Sequence, residues 1–290
     1  MPIGVRIIGI IIAVLAAAYG LYAGMGNSIG NFDGEMQIFA LDVGQGDSFF
    51  IISPNGKTML IDSGESSNSK QIEQFIREKG VRQLDVVIGS HTHSDHVGSM
   101  PYLLDAFDVG KYVMSEAGLE TRIQKRINAV LEEKDIPCSY VWAGDVIDWD
   151  SDCKVTVLSP VPEFDEYSKT DWNEWSLIIR AEYANHSMIF TGDATVRSEQ
   201  AAMLNNEKYL FDADVLKVPH HGSTTSSSLG FLEAVSPEYA IISVGKGNSY
   251  GHPDYDTIQK LKQVNAEIYR TDELGTINIV FSANDIKITY

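Results

Sequence analysis

Leu84-Asp85-Val86-Val87-Ile88-Gly89-Ser90-His91-Thr92-His93-Ser94-Asp95-His96 puts three of the chain's seven histidines into six positions directly behind an apolar run. That run, apolar over 84–88 except for Asp85, reads as a strand covered on both faces. In an extended segment residues two apart face the same way. His91 and His93 can therefore bind one metal ion, and a turn at Ser94 can aim Asp95 and His96 at a second. Imidazole nitrogen and carboxylate oxygen are borderline-to-hard donors that suit zinc, manganese or iron. A helical metalloprotease site is excluded, because it needs two histidines four apart with Glu beside the first, and this segment has no Glu.

The same arrangement recurs downstream. Met188-Ile189-Phe190 precedes Thr191-Gly192-Asp193, and Val215-Leu216-Lys217-Val218 precedes Pro219-His220-His221-Gly222. Three apolar strands followed by ligand-type residues would gather their ligands at one edge of the sheets. Asp193 then reads as a carboxylate bridging two cations roughly 3.5 to 4 Å apart. Neighbours in an extended chain point to opposite sides, so one of His220 and His221 is expected to be a ligand.

Working outward, residues 36–41, 49–52 and 58–61 read as strands, with turns at Pro54-Asn55-Gly56 and Ser63-Gly64. A helix over 70–79 puts Ile72, Phe75 and Ile76 on one face and stops at Gly80. Ser99-Met100-Pro101 opens a helix through residue 107, and 120–134 is another. Residues 139–158 read as strands and tight turns, and 177–183 with 187–190 as a hairpin over Ala184-Asn185. Strands at 215–218, 239–244, 267–270 and 276–281 alternate with helices near 194–204 and 254–264. Strands first, with helices interleaved in both halves, give an α/β class of two packed sheets with helices outside. No linker, repeat or charge run interrupts the chain from Met36 onward, so 35–290 is expected to be one domain.

Composition bounds the function classes. With 44% hydrophobic residues, two Cys and 24 Gly among 290 residues, a disordered chain, a disulfide scaffold and a collagen-like fibre are all excluded. Lys and Arg number 22 against 40 Asp and Glu, a net charge of −18 that repels polyanions at long range unless a local basic patch overrides it. Ahead of the domain, Arg6 precedes an uncharged run over 7–23, roughly 25 Å long as a helix and just short of a full membrane span. Residues 1–34 therefore read as an export signal or a membrane anchor with a short tether, leaving the domain extracellular or membrane-anchored and facing outward. In that compartment Cys138 and Cys153, on what read as neighbouring strands, either form a bridge or pack as two unpaired thiols.

His91 to His96 keep an H-x-H-x-D-H pattern in full, and on it the chain resembles the metallo-β-lactamase superfamily from Met36 to about Asn278. Within that superfamily it is similar to the nuclease-like domain of ComEC competence proteins and their free-standing relatives. The similarity runs through Asp42-Val43-Gly44-Gln45-Gly46-Asp47, Leu60-Ile61-Asp62-Ser63-Gly64, Thr191-Gly192-Asp193, His220-His221-Gly222-Ser223 and Gly251-His252-Pro253. The resemblance implies an αββα sandwich and two divalent metal ions, zinc first and manganese as the alternative. By carry-over one ion is held by His91, His93 and Asp193, and the other by Asp95, His96, Asp193 and His221. Asp62 looks like the family's supporting carboxylate, which fixes the tautomer and orientation of a ligand imidazole. A further resemblance to bacterial phosphorylcholine esterases, which share a paired-His segment, favours His221 as the ligand, and Gly222 lets the backbone come close. His220 is then a proton donor or a substrate contact.

The chain departs from the pattern at one point. Many superfamily members place another ligand His between the first cluster and the bridging Asp, and here His186 is the sole His in that interval. Seven residues before Asp193 on a strand rising about 3.3 Å per residue, it should lie at the surface near the opposite edge. The first ion is thus short of a protein donor, a place Asn173 or Ser176 could fill. His252, on a loop before the helix capped by Asp254, joins His220 and Asp95 as an expected catalytic residue.

Two cations lower the pKa of a shared water to about 7, so hydroxide can attack phosphorus or a carbonyl carbon while His220 or His252 protonates the leaving group. The chemistry expected is an exported, metal-dependent hydrolase, a phosphodiesterase acting on DNA or on a choline-phosphate-bearing surface polymer. No protein partner is expected. Lys217, Lys246 and Arg270 fall near the ligand edge in this layout and would serve a phosphate backbone. From another class, a non-catalytic binding module with structural metals would release its ions only as the fold melts.

Overall fold

Apolar side chains alternate between two faces along nearly every central strand, and both faces are buried. This is the pattern of sheets covered on both sides. A computed structural model describes residues 34–162 and 171–290. The first half contains strands β1 (Met36–Ala40), β2 (Phe49–Ile52) and β3 (Thr58–Ile61), then helix α1 (Ser69–Glu78), β4 (Gln83–Leu84), β5 (Val86–Gly89), α2 (Ser94–Val97) and α3 (Met100–Ala106). It ends with β6 (Asp108–Val109), β7 (Tyr112–Met114), α4 (Arg122–Glu133) and β8 (Cys138–Tyr140). The second half runs β9 (Cys153–Ser159), β10 (Ile178–Tyr183), β11 (His186–Phe190), α5 (Val196–Asn205), β12 (Val215–Lys217), α6 (Leu229–Val235) and β13 (Tyr239–Ile242). There follow α7 (Tyr255–Gln263), β14 (Glu267–Arg270), α8 (Thr271–Leu274), β15 (Ile277–Phe281) and β16 (Ile286–Thr289).

One sheet has the order β16-β15-β1-β2-β3-β5-β7-β8 and the other β14-β13-β12-β11-β10-β9. Ile38, Phe49, Ile51, Ile61 and Ile88 of the first face Val157, Ile179, Met188, Phe190 and Ile241 of the second in a common core. The alternate residues Phe39, Phe50, Leu60 and Val87 pack outward under Ile72 and Ile76 of α1, Leu103 of α3 and Ile127 of α4. Ile178, Ile189, Leu216 and Ile242 do the same under Ala202 of α5, Phe231 of α6 and Leu261 of α7. Helix, sheet, sheet, helix: this is the expected αββα sandwich. The strands β3, β5 and β7 are parallel, as are β11, β12 and β13. Their carboxyl ends emerge at one edge, where the ligand-type residues lie.

Several local expectations need correction. The strand over 84–88 breaks at Asp85, whose carboxylate accepts from Thr58 N at 2.8 Å and pairs with Lys57 at 2.8 Å. Leu84 instead pairs with Val109 in a small two-stranded sheet. Cys138 and Cys153 lie in different sheets and are unpaired. His186 is half-buried rather than exposed, its ring 5.6 Å from that of Phe281, and it stands apart from the ligand cluster. The segment read as an export signal or anchor falls outside the described residues up to Asp33. Among the described residues no helix is long and apolar enough to cross a membrane.

Candidate metal centre

The tight turn after β5 delivers His91 and His93, and the short helix α2 that follows carries Asp95 and His96. The turn after β11 presents Asp193, and the turn after β12 presents His220 and His221. Both of these histidines are left-handed, with φ of 50° and 54°. The argument from an extended chain therefore does not hold, yet the turn still separates them. His221 faces the cluster and His220 stands at its mouth.

Two donor sets share Asp193. Asp95, His96, Asp193 and His221 offer atoms within 4.8 Å of one another, and so do His91, His93 and Asp193. His96 Nε2 lies 3.0 Å from Asp193 Oδ1, and His221 Nε2 lies 3.4 Å from Asp95 Oδ2 and 3.5 Å from Asp193 Oδ1. His91 Nε2 and His93 Nδ1 are 3.1 Å apart.

Hydrogen bonds behind the rings fix how they face. His96 Nδ1 donates to Asp62 Oδ2 at 2.8 Å, and His221 Nδ1 donates to the Ser243 carbonyl at 2.9 Å. Ser90 Oγ donates to Asp62 at 2.7 Å, so it accepts from His91 Nδ1 at 3.1 Å. All three rings thus hold a proton on Nδ1 and turn Nε2 toward Asp193, the arrangement that outer carboxylates and carbonyls impose on ligating histidines.

The residues present fit divalent cations. His96 Nε2, His221 Nε2 and Asp193 Oδ1 are buried and make no hydrogen bond among the described residues, although they converge. Groups this polar are not left without partners in a folded interior unless a ligand completes them. The electrostatics agree. Burial opposes charge on Asp193, but His96 and His221 outweigh it and hold its carboxyl well below the usual range. Burial likewise opposes a proton on His221, but Asp193, Asp47 and Asp95 push its pKa up to about 9. The carboxylates thus demand positive charge at this point.

A cavity of about 340 Å³ opens over the cluster and reaches His93, Asp95, Asp193, His220, Tyr250 and His252. His220 Nδ1 is 2.9 Å from Thr225 Oγ1, and its Nε2 is 3.5 Å from Asp193 Oδ2. The His252 ring lies 5.7 Å from that of His220. Burial lowers the pKa of both rings.

Residues 41–246 match the Lactamase_B family, the metallo-beta-lactamase superfamily. The chain belongs to the metallo-β-lactamase superfamily. It is 34% identical over 260 residues to ComE operon protein 3 of Bacillus subtilis, covering 84% of this chain and 33% of that protein. It is 28% identical over 257 residues to Recombination protein 2 of Haemophilus influenzae, covering 87% of this chain and 30% of that protein. The chain thus spans about a third of the length of these curated relatives. Among solved structures, Igni18, a metallo hydrolase from Ignicoccus hospitalis, matches with a TM-score of 0.58 at 15% identity, over 85% of this chain and 100% of that one. YhfI from Bacillus subtilis, a metallo-beta-lactamase fold protein, matches with 0.54 at 13%, over 88% and 100%. At these identities the structural likeness is one of fold. Superfamily membership makes the chain a metal-dependent hydrolase related to competence proteins.

Within this metallo-β-lactamase centre, the sequence reading missed the role of Asp47 and misplaced Lys217, which it expected to serve a phosphate backbone. Lys217 is 1% exposed, its Nζ 2.5 Å from Asp47 Oδ2 and 2.7 Å from the Gly192 carbonyl. Asp47 is itself buried, 3.5 Å from His221 Nδ1 and 3.6 Å from His96 Nδ1. A lysine inside the apolar stretch Val215-Leu216-Lys217-Val218 was the available signal, since a charge in a buried strand requires a partner. Lys217 therefore lies beneath the centre and does not face substrate. Arg270 pairs with Asp272 at 2.7 Å and Glu273 at 2.9 Å, and neither it nor Lys246 lines the cavity.

Proposed function

We propose that this chain is an exported phosphodiesterase of the nuclease type, with phosphodiester cleavage at the centre formed by His91, His93, Asp95, His96, Asp193 and His221. The observation that carries the reading is the convergence of His96 Nε2, His221 Nε2 and Asp193 Oδ1, which make no hydrogen bond among the described residues, beneath an open cavity. His91, His93 and Asp193 would hold one divalent cation and Asp95, His96, Asp193 and His221 another, zinc first and manganese as the alternative; such ions would acidify a water and neutralise charge developing on phosphate oxygens. Asp62 and Ser243 hold the rings of His96 and His221 in the tautomer that offers Nε2. His220 sits on the opposite side of Asp193 from His96, with Thr225 behind its Nδ1. From there its Nε2 passes a proton to the departing oxygen, and His252 borders the same leaving-group side. The competence-related relatives support DNA as the phosphodiester, and the uncharged run over 7–23 supports an outward-facing location.

A cell-surface polymer bearing choline phosphate is a second reading. It is favoured by the absence of Lys and Arg from the described cavity lining, together with an exposed Tyr250 at the rim. A cationic head meets aromatic and acidic groups there rather than repulsion. The decisive experiment compares turnover of single-stranded DNA, bis(p-nitrophenyl) phosphate and p-nitrophenyl phosphorylcholine by the chain with zinc and with manganese. His93→Ala and Asp193→Ala should each remove turnover of every substrate by at least about a thousandfold while circular dichroism stays unchanged. Retained turnover in either variant would overturn the reading, as would a chain inactive on all three. An inactive chain that releases its metal only on unfolding would be a binding module instead.

A further inference from the structure

The two donor sets are unequal: four residues converge on the His96 side of Asp193 and three on the His91 side. The segment just before β10 wraps the poorer side. Its 3-10 turn, Trp172–Trp175, packs the Trp172 ring 5.5 Å from that of His93. At its other end Ser176 Oγ accepts from Asp193 N at 3.1 Å, and Leu177 N donates to the Ser90 carbonyl at 3.0 Å. Asn173 lies between these two anchors and lines the cavity with His93 and Asp193. The backbone of Asn173 is held in the turn: its N–H donates to Asp171 Oδ1 at 3.0 Å and its carbonyl accepts from Ser176 N at 3.1 Å. The side-chain Oδ1, by contrast, is buried and has no hydrogen-bond partner among the described residues.

We propose that Asn173 Oδ1 is the fourth protein donor on the His91 side. The inference rests on the two-ion reading above. The other oxygens of the segment are engaged: Ser176 Oγ by the Asp193 amide at 3.1 Å, Glu174 by Arg197 at 3.1 Å, and Asp171 Oδ1 by the Asn173 amide at 3.0 Å. An amide oxygen is neutral and harder than imidazole, so it grips a borderline cation less firmly than the missing histidine would. The His91 side should consequently release its ion first, giving two distinct affinities on titration.

The test is metal titration of the dialysed full chain with zinc and, separately, manganese, read as bound ions per chain and as the metal-induced rise in Tm. The wild type should bind two ions; a single ion would overturn the two-ion reading itself, whatever Asn173 does. Asn173→Ala should bind one ion at concentrations that load two on the wild type, with the weaker affinity falling at least about tenfold. Its Tm without metal should be unchanged or higher, because truncation removes a buried acceptor that had no partner. Asn173→Asp, which keeps the shape and adds charge, should retain two ions and tighten the weaker one. Two ions of wild-type affinity in Asn173→Ala would overturn the proposal. So would a lowered metal-free Tm with unchanged metal affinity, which marks a merely structural side chain. If Asn173→Ala does not fold, unchanged affinity in Asn173→Asp overturns it instead.

Discussion

Lys217 shows how much of the centre lies below what substrate can touch. Taking an ammonium out of water is tolerable here because Asp47 pairs with it and the Gly192 carbonyl accepts its hydrogen bond, and the same carbonyl belongs to the turn that carries Asp193. Burial raises the pKa of Asp47, but Lys217 first and His96 next outweigh it and keep the carboxyl ionised. Replacing one partner of such a pair leaves the other buried and uncompensated. Lys217→Met is therefore expected to cost about 3 to 5 kcal/mol in urea unfolding of the metal-free chain. Adding Asp47→Asn should recover most of that loss; additive destabilisation in the double variant would show that the two residues act separately. At this scale the donor cluster was legible, because three histidines and an aspartate in six positions have few other causes, and Asp193 follows an apolar strand in the same way. Asp47 was seen as part of a glycine-rich motif but without a role. Nothing local shows that it meets a lysine 170 positions later.

At the scale of elements, the centre is built by strand ends and the short helix α2, and the loops at its mouth are kept in place by a helix that lies outside it. Glu199 on α5 is buried, and its two carboxylate oxygens accept from Ser227 N at 2.6 Å and Ser228 N at 2.9 Å. It thereby pins the polar loop over 223–228, whose Thr225 backs His220. Burial raises the Glu199 pKa to about 7 even against the lowering effect of these amides and of Lys260. The folded chain then keeps a proton that the unfolded chain has already released. Stability contributed by this group accordingly falls as pH rises from about 4.5 to about 7, and is flat above. Glu199→Gln, which cannot titrate, should show a shallower fall in Tm between pH 5 and 8 than the wild type. Equal slopes would sink the assignment. The sequence anticipated most strands and long helices, because their apolar period is strong. It missed α6, seven residues long behind a serine-rich loop, and it ran one strand through Asp85, whose carboxylate takes the Thr58 amide of β3 and interrupts the ladder.

Across the whole molecule, the net charge of −18 and the cavity's described lining point the same way. Of the three basic residues expected at the ligand edge, Lys217 is taken by Asp47 and Arg270 by Asp272 and Glu273, and Lys246 does not line the cavity. A single strand of DNA should therefore bind with a shallow salt slope, equivalent to one or two phosphates at about 0.7 each, the bound cations doing most of the neutralisation. Filter binding of metal-loaded Asp193-intact chain in a non-cleavable phosphorothioate strand, from 50 to 300 mM salt, measures it. A slope of about −4 or steeper would reveal a basic track that the described residues do not form.

Sequence by itself determined the fold class, the chemistry of the ligands and their order along the chain. Strand periodicity and side-chain donor type are local properties, written into neighbouring residues. Tertiary structure alone decided which atoms meet: His221 facing inward from a left-handed turn, Lys217 beneath Asp193, and an Asn173 oxygen with no hydrogen bond among the described residues, in the cavity that His93 also lines. Those outcomes depend on how two sheets stack and on which loops the stacking brings to one edge, and packing between residues far apart in the chain has no signature in either segment alone.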